Sequence, residues 1–181
     1  MRKLIESTFV TLNGVVVDPQ NWSPPYWDDE DHNRYSHDLI FAADALLLGR
    51  STYDVFAEAW PSRAGTDDPY VDRINALPKY VASRTLTEAG WNASVIKGDV
   101  AEAVAELKRQ PGENILKYGT GELDLTLIEH NLVDEFHFWM FPVIAGGGGH
   151  MPLESLHVSH LELLDQKTFK TGIVVLVYGP K

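Results

Sequence analysis

An α/β domain with a mixed, mostly parallel sheet, helices on both faces and a C-terminal antiparallel hairpin is predicted from three features of the sequence. Strand-like runs trade places with helix-period runs almost to the end of the chain. The last two strand-like runs, about Glu162–Phe169 and Ile173–Tyr178, are joined around Thr171-Gly172, a link too short for a parallel crossover. Of 181 residues, 44% are hydrophobic and 23% charged, with no low-complexity tract, repeat or composition break. One domain over residues 1–181 is therefore expected.

The first strand is read at Leu4–Thr11, followed by Asn13-Gly14, a strong turn signal, and the β-rich Val15-Val16-Val17. Residues 18–31 form a long loop punctuated by proline and rich in aromatic and acidic residues. A helix is expected from about Glu30 to Ala43, with Tyr35, Leu39 and Ala43 on one face. Ala45–Leu48 reads as a strand buried on both faces, after which Gly49-Arg50-Ser51-Thr52 opens a helix that Pro61 ends. Asp68-Pro69 is an N-cap with proline at the first helical position, leading to Ala76. Strands follow at Lys79–Ser83 and Trp91–Ile96. Val100–Gln110 is a helix with an Asp99/Glu102 capping box, stopped by Pro111-Gly112. Asn114–Tyr118 returns as a strand, Gly119-Thr120-Gly121 leads into a helix from Glu122 to His130, and Phe136–Ile144 is a long strand ending in Gly146–Gly149.

Composition excludes whole classes of function. Lys plus Arg is 15 and Asp plus Glu is 26, a formal charge of −11, which argues against nucleic acid or an anionic membrane as partner. With no cysteine there is no disulfide framework, thiolate nucleophile or zinc–thiolate site. The N-terminus shows no signal-peptide pattern and no run is apolar enough to span a bilayer, so a cytoplasmic protein is expected. His157-x-x-His160 lacks the companions a metal site needs, and no metal is expected.

Three segments share a chemical theme. Gly49-Arg50-Ser51-Thr52, Ser83-Arg84-Thr85 and Gly119-Thr120-Gly121 each follow a predicted strand, and two of them open a helix. Open α/β sheets bind ligands at the carboxyl ends of their strands, where a helix N-terminus offers free N–H groups to an anion. Glycine lets the backbone approach a phosphate, hydroxyl residues add donors, and Arg50 and Arg84 supply forked contacts. Several such cradles along one sheet edge suit a dinucleotide. Neither a G-x-G-x-x-G fingerprint nor a P-loop is present.

Taken together, Thr11-Leu12-Asn13-Gly14, Leu48-Gly49-Arg50-Ser51-Thr52-Tyr53, Tyr80-Val81-Ala82-Ser83-Arg84-Thr85-Leu86, Tyr118-Gly119-Thr120-Gly121, Leu132-Val133-Asp134-Glu135 and Pro142-Val143-Ile144 occur in one order along the chain. That set resembles the dihydrofolate-reductase-like family. It looks most like the reductase domain of the bifunctional deaminase–reductase of riboflavin synthesis and its stand-alone relatives. The resemblance implies a three-layer αβα fold and an NADPH-dependent reductase acting on a small heterocycle, as in 5-amino-6-(5-phosphoribosylamino)uracil reduction. It leaves open a pterin or dihydrofolate reductase, and a non-catalytic nucleotide- or flavin-binding module.

Carried over piece by piece, Gly49, Arg50 and Thr52 would hold cofactor phosphates, and Ser83, Arg84 and Thr85 would flank the adenosine 2′-phosphate. Gly119, Thr120, Gly121, Glu122 and Leu123 would cradle the pyrophosphate. Asn13, where the family often has Asp, and Gly14 would lie near nicotinamide and substrate. Asp28 and Asp31 are candidate proton donors at the head of the first helix. Trp22, Tyr26 and Trp27 would either stack on a planar substrate as a lid or pin their loop to the body. Gly146 and Gly147 would bring backbone close to the ligand. A homodimer is expected, because Phe136–Phe141 is large and apolar on both strand faces except at His137, and the terminal hairpin carries further apolar side chains.

Overall fold

The computed structural model describes residues 1–181. Its strands are β1 (Leu4–Thr11), β2 (Ala43–Gly49), β3 (Lys79–Ala82), β4 (Ala93–Val95), β5 (Asn114–Tyr118), β6 (Glu135–Phe141), β7 (Leu161–Thr168) and β8 (Val174–Pro180). Its helices are α1 (Glu30–Phe41), α2 (Arg50–Ala59), α3 (Pro69–Ala76), α4 (Val100–Arg109) and α5 (Glu122–Glu129). The strands form one sheet in the order β4-β3-β2-β5-β1-β6-β8-β7. Strands β1 to β6 are parallel, and β8 runs against both β6 and β7. The carboxyl ends of β1, β2, β3, β5 and β6 therefore open on one edge.

Both faces of the central strands are covered, which is why Leu46, Leu47 and Leu48 are all sealed from solvent. On one face Leu4, Leu47, Ile115 and Phe136 pack against Ala101, Val104 and Leu107 of α4 and Leu127 of α5. On the other, Ile5, Leu46, Leu48 and Leu116 meet Ile40 of α1, Tyr53 of α2 and Ile74 of α3. A separate cluster joins Tyr35 of α1 to Trp139, Phe141, Phe169, Ile173, Val175 and Val177. This is the expected three-layer architecture. No helix is long and apolar enough to cross a membrane.

β1 and β5 run between the predicted residues. Asp68 caps α3 by accepting from the Tyr70 N–H at 2.9 Å. Other expectations need correction. Val15–Val17 is not a strand; the turn closes through Gly14 N–H to the Thr11 carbonyl, and Val15 makes one isolated bridge to His150. β6 stops at Phe141 rather than Ile144, because Pro142 has no N–H to continue a ladder. α1 ends at Phe41, since Ala43 already pairs with Asn114 in the sheet. The box at α4 is half-built: Asp99 accepts from the Glu102 N–H at 2.8 Å without a return bond from the Glu102 side chain.

Candidate functional site

Two helix N-termini meet at the open edge of the sheet. β2 passes directly into α2 through Gly49, and β5 passes into α5 through Gly119-Thr120-Gly121. They are neighbours: a Cβ at Gly49 would lie 4.0 Å from the Leu123 Cβ, and one at Gly119 would lie 3.6 Å from Thr52 Oγ1. Thr52 also donates to the Tyr118 carbonyl at 3.5 Å. No side chain caps the N-terminus of α2. At α5 the Glu122 and Leu123 N–H groups belong to the first turn, which has no carbonyl four residues back within the helix. Gly121 N–H donates to Asp124 Oδ2 at 2.6 Å, and the Thr120 hydroxyl donates to Glu6 Oε1 at 2.6 Å. Those two donors point down into the protein, so the anion-binding capacity of this loop rests on its other N–H groups. Uncapped donors and close-set glycine backbones fit the phosphates of a dinucleotide.

The expected arginines border this pair of termini. Arg50 Nε lies 2.8 Å from both Asp54 oxygens, and its Nη1 donates to Thr85 Oγ1 at 3.3 Å, tying α2 to the loop after β3. Arg84 pairs with Glu122 at 2.5 Å across the mouth. Ser83 Oγ accepts the Thr85 and Leu86 N–H groups at 3.2 and 3.0 Å, shaping that loop.

Asn13 stands at the end of β1, where its side chain accepts from Thr11 Oγ1 at 2.9 Å and exchanges two hydrogen bonds with Ala145. The glycine run is thereby moored at its start. At its other end Gly149, at φ +80°, is boxed in: a Cβ there would come within 2.0 Å of Val17 Cγ2. Gly146 and Gly147 have no atom within 4 Å of the place a Cβ would take.

The loop over residues 18–31 rests on the end of β6. Trp22 and Tyr26 meet Phe141 edge-on at 5.3 and 5.6 Å, and Trp22 Nε1 donates to the Val17 carbonyl at 3.0 Å. Trp27, bonded through Nε1 to Ser23 Oγ at 3.0 Å, remains 44% exposed. Asp29 caps α1 by accepting from the His32 and Asp31 N–H groups at 3.0 and 2.8 Å; the His32 bond is the main cause that holds its carboxyl below the ordinary range. Asp28 and Asp31, the candidate donors, line a polar cavity of about 370 Å³ with Asp29, Glu30, Lys170 and Thr171, and Asp31 also pairs with Arg34.

Two features escaped the sequence reading. His32 is buried beside Phe9, Trp139 and Phe141 with Nδ1 unpartnered, and burial lowers its pKa. Beneath the 119–121 loop, Glu6, Lys117 and Asp124 form a sealed charge cluster. A lysine inside the otherwise apolar, doubly covered strand Asn114–Tyr118 was the signal available for it.

The model of the RibD C-terminal domain matches residues 2–175. The chain belongs to the RibD C-terminal domain family. A similar chain is the uncharacterized protein YyaP of Bacillus subtilis (strain 168), 30% identical over 98% of this chain and 94% of that protein. Among solved structures, a candidate riboflavin biosynthesis protein from Shewanella sp. PV-4 superposes with a TM-score of 0.76 at 23% identity, covering 100% of this chain and 99% of that one. Dihydrofolate reductase from Enterococcus faecalis, solved with NADP(H), gives 0.62 at 16% identity over 99% and 96% of the two chains. At these identities the structural likenesses establish that the RibD C-terminal domain here has a dihydrofolate-reductase-like fold.

Proposed function

We propose that this RibD C-terminal domain is an NADPH-dependent reductase of the riboflavin-pathway type, acting on a small planar heterocycle such as a phosphoribosylaminouracil. The observation that carries the reading is the pair of adjacent helix N-termini at the carboxyl edge of the sheet, bordered by Arg50 and Arg84. When bound, the nicotinamide supplies a hydride to an electrophilic C=N or C=O carbon of the acceptor.

The chain's own residues bind and orient. Gly49, Arg50 and Thr52, with Gly119 to Leu123, hold the phosphates; the N–H groups of Thr120, Glu122 and Leu123 face the anion while Gly121 and the Thr120 hydroxyl fix the loop. Ser83, Arg84 and Thr85 take the adenosine 2′-phosphate. Asn13 and Gly14 frame the nicotinamide and hold the 145–147 backbone at the acceptor site. Trp27, with Trp22 as its anchor, covers the acceptor, and a proton reaches it from water or from Asp28 or Asp31.

We propose further that two chains pair. Phe138, Met140, Val174, Leu176 and Tyr178 share the face of β6 and β8 that no helix fully covers, and all stay half-buried. Leu161 and Leu163 of β7 are exposed beside them.

Following NADPH oxidation by absorbance with a panel of pyrimidine, pterin and flavin acceptors tests the reading. Turnover confined to the pyrimidines is expected. Turnover with dihydrofolate alone would make it a folate reductase, and cofactor binding without any turnover would make it a binding module.

A further inference from the structure

Each residue of the 119–121 loop is held from below by a different charged side chain. The Lys117 ammonium donates to the Gly119 carbonyl, the Thr120 hydroxyl donates to Glu6 Oε1 at 2.6 Å, and the Gly121 N–H donates to Asp124 Oδ2 at 2.6 Å. The three charged groups also meet one another, with Lys117 Nζ 2.8 Å from Asp124 and 3.8 Å from Glu6 Oε2. Thr8 Oγ1 closes the ring at 2.9 Å from Thr120 Oγ1 and 3.2 Å from Glu6 Oε1. Glu6, Lys117 and Asp124 are 1%, 2% and 0% exposed.

Two carboxylates and one ammonium would leave a net negative charge in a space sealed from bulk solvent, which is costly. The bonding shows how that is avoided. Glu6 Oε2 and Asp124 Oδ1 are both buried without a hydrogen bond, and the one ammonium of Lys117 balances only one of the two carboxylates, so a single proton on the pair restores neutrality. Burial accordingly pushes the Glu6 carboxyl up to about 8, with Lys117 opposing the shift and Asp124 adding to it. Lys117 from β5 and Asp124 from α5 are the ionisable groups acting on Glu6, while β6 sets Phe136 and Phe138 beside Glu6 and Thr8.

We propose that Glu6, Lys117 and Asp124 are positioning residues that couple anion binding at the 119–121 loop to one proton carried by the Glu6 and Asp124 carboxyl pair. The proposal rests on the reading that this loop takes the cofactor's pyrophosphate. With the proton in place the cluster is neutral, the loop is tied at three points, and no net negative charge lies under the bound anion. Loss of the proton places one uncompensated negative charge there and weakens the anion's hold. By linkage, a bound anion raises the proton affinity of the pair to the same degree.

The free protein supplies a test without ligand. In an NMR titration from about pH 6.5 to 9.5, the amide signals of Gly119, Thr120 and Gly121 should move together with one midpoint near 8. They should be flat over that range in Glu6→Gln, whose amide mimics the protonated acid. Amides that do not titrate, or that titrate alike in both proteins, overturn the cluster. Should Glu6→Gln not fold, Thr120→Val keeps the cluster and cuts its tie to residue 120, so the backbone amide at position 120 should stop titrating while that of Gly121 continues; unchanged titration of both also overturns it.

The coupling is tested with NADP⁺ by calorimetry. Its 2′-phosphate, with a pKa of about 6, is already ionised throughout this range. Affinity should fall by about tenfold between pH 7.5 and 9.5 in the native protein and by less than about twofold in Glu6→Gln. Lys79, brought by burial to about 8, lies at the opposite edge of the sheet and is common to both proteins. Parallel pH profiles overturn the coupling. Absence of NADP⁺ binding at every pH overturns the cofactor reading and the coupling with it, while the amide titration still decides the cluster.

Discussion

Asn13 and Ala145 exchange two hydrogen bonds: Asn13 Nδ2 donates to the Ala145 carbonyl at 2.7 Å, and the Ala145 N–H donates to Asn13 Oδ1 at 3.1 Å. The amide thus acts as a short piece of sheet, stitching the turn after β1 to the start of the glycine run. A carboxylate at this position could accept from the N–H but would face the carbonyl with no donor. Asn13→Asp is therefore expected to cost about 1 kcal/mol, an exposed pair losing one of two bonds, and to lower Tm by about 2–4 °C. It should also raise KM for the acceptor more than for the cofactor. A melt and acceptor kinetics identical to the native protein would show that the stitch does nothing.

Arg84 has a competitor. Its partner Glu122 must give way before the guanidinium can grip a 2′-phosphate. Both side chains are mostly exposed, so the pair itself contributes little. Arg84→Ala should cut the preference for NADP⁺ over NAD⁺ by about tenfold, at the lower end for a charge-assisted bond. Glu122→Gln should strengthen NADP⁺ binding by about two- to fivefold and leave NAD⁺ unchanged. Calorimetric titration of both cofactors against both variants measures this, and equal discrimination in all three proteins would contradict it.

Trp22 and Trp27 divide the work of their loop. Trp22 packs edge-on against Phe141, whereas Trp27 has only its Ser23 bond and faces outward. Trp22→Ala should destabilise the fold by about 1–3 kcal/mol in urea and speed proteolysis of the 18–31 segment. Trp27→Ala should leave stability within about 0.5 kcal/mol and raise acceptor KM. The opposite pattern would make Trp22 the substrate cover and Trp27 the anchor.

The apolar face shared by β6 and β8 predicts the oligomer. Light scattering coupled to size exclusion at micromolar concentration should report about twice the 20.3 kDa chain mass. Leu176→Lys, placed on that face, should give a folded monomer. A native monomer at the same concentration would return those side chains to the periphery of the subunit core.

The layered fold was legible because its signals were local. Asp68-Pro69, Asp99, Pro111-Gly112 and the β-rich composition of Leu4–Thr11 each act within a few residues. Val15-Val16-Val17 misled because strand propensity requires a partner, and the only pairing offered is one bridge to His150. The loops that would touch phosphate stood out through glycine, hydroxyl and arginine types, yet the support beneath them did not. Glu6 begins a polar Glu6-Ser7-Thr8 stretch that reads as exposed, and Asp124 looks like an ordinary first-turn acid. Only the sheet order, which sets β1 beside β5 and brings α5 over both, converts them with Lys117 into one buried cluster. Long-range pairing of that kind leaves no periodicity in a single sequence.

The dinucleotide is expected to lie across the carboxyl edge of the sheet, over the N-termini of α2 and α5. A crystal structure with NADP⁺ tests it most directly. The pyrophosphate is expected against the Thr120, Glu122 and Leu123 N–H groups, with the 2′-phosphate beside Ser83, Arg84 and Thr85. Arg84 should have turned from Glu122 toward that phosphate, while the Thr120 hydroxyl and Gly121 N–H still point to Glu6 and Asp124. A cofactor bound at the opposite edge, or a pyrophosphate resting away from both helix N-termini, would contradict it.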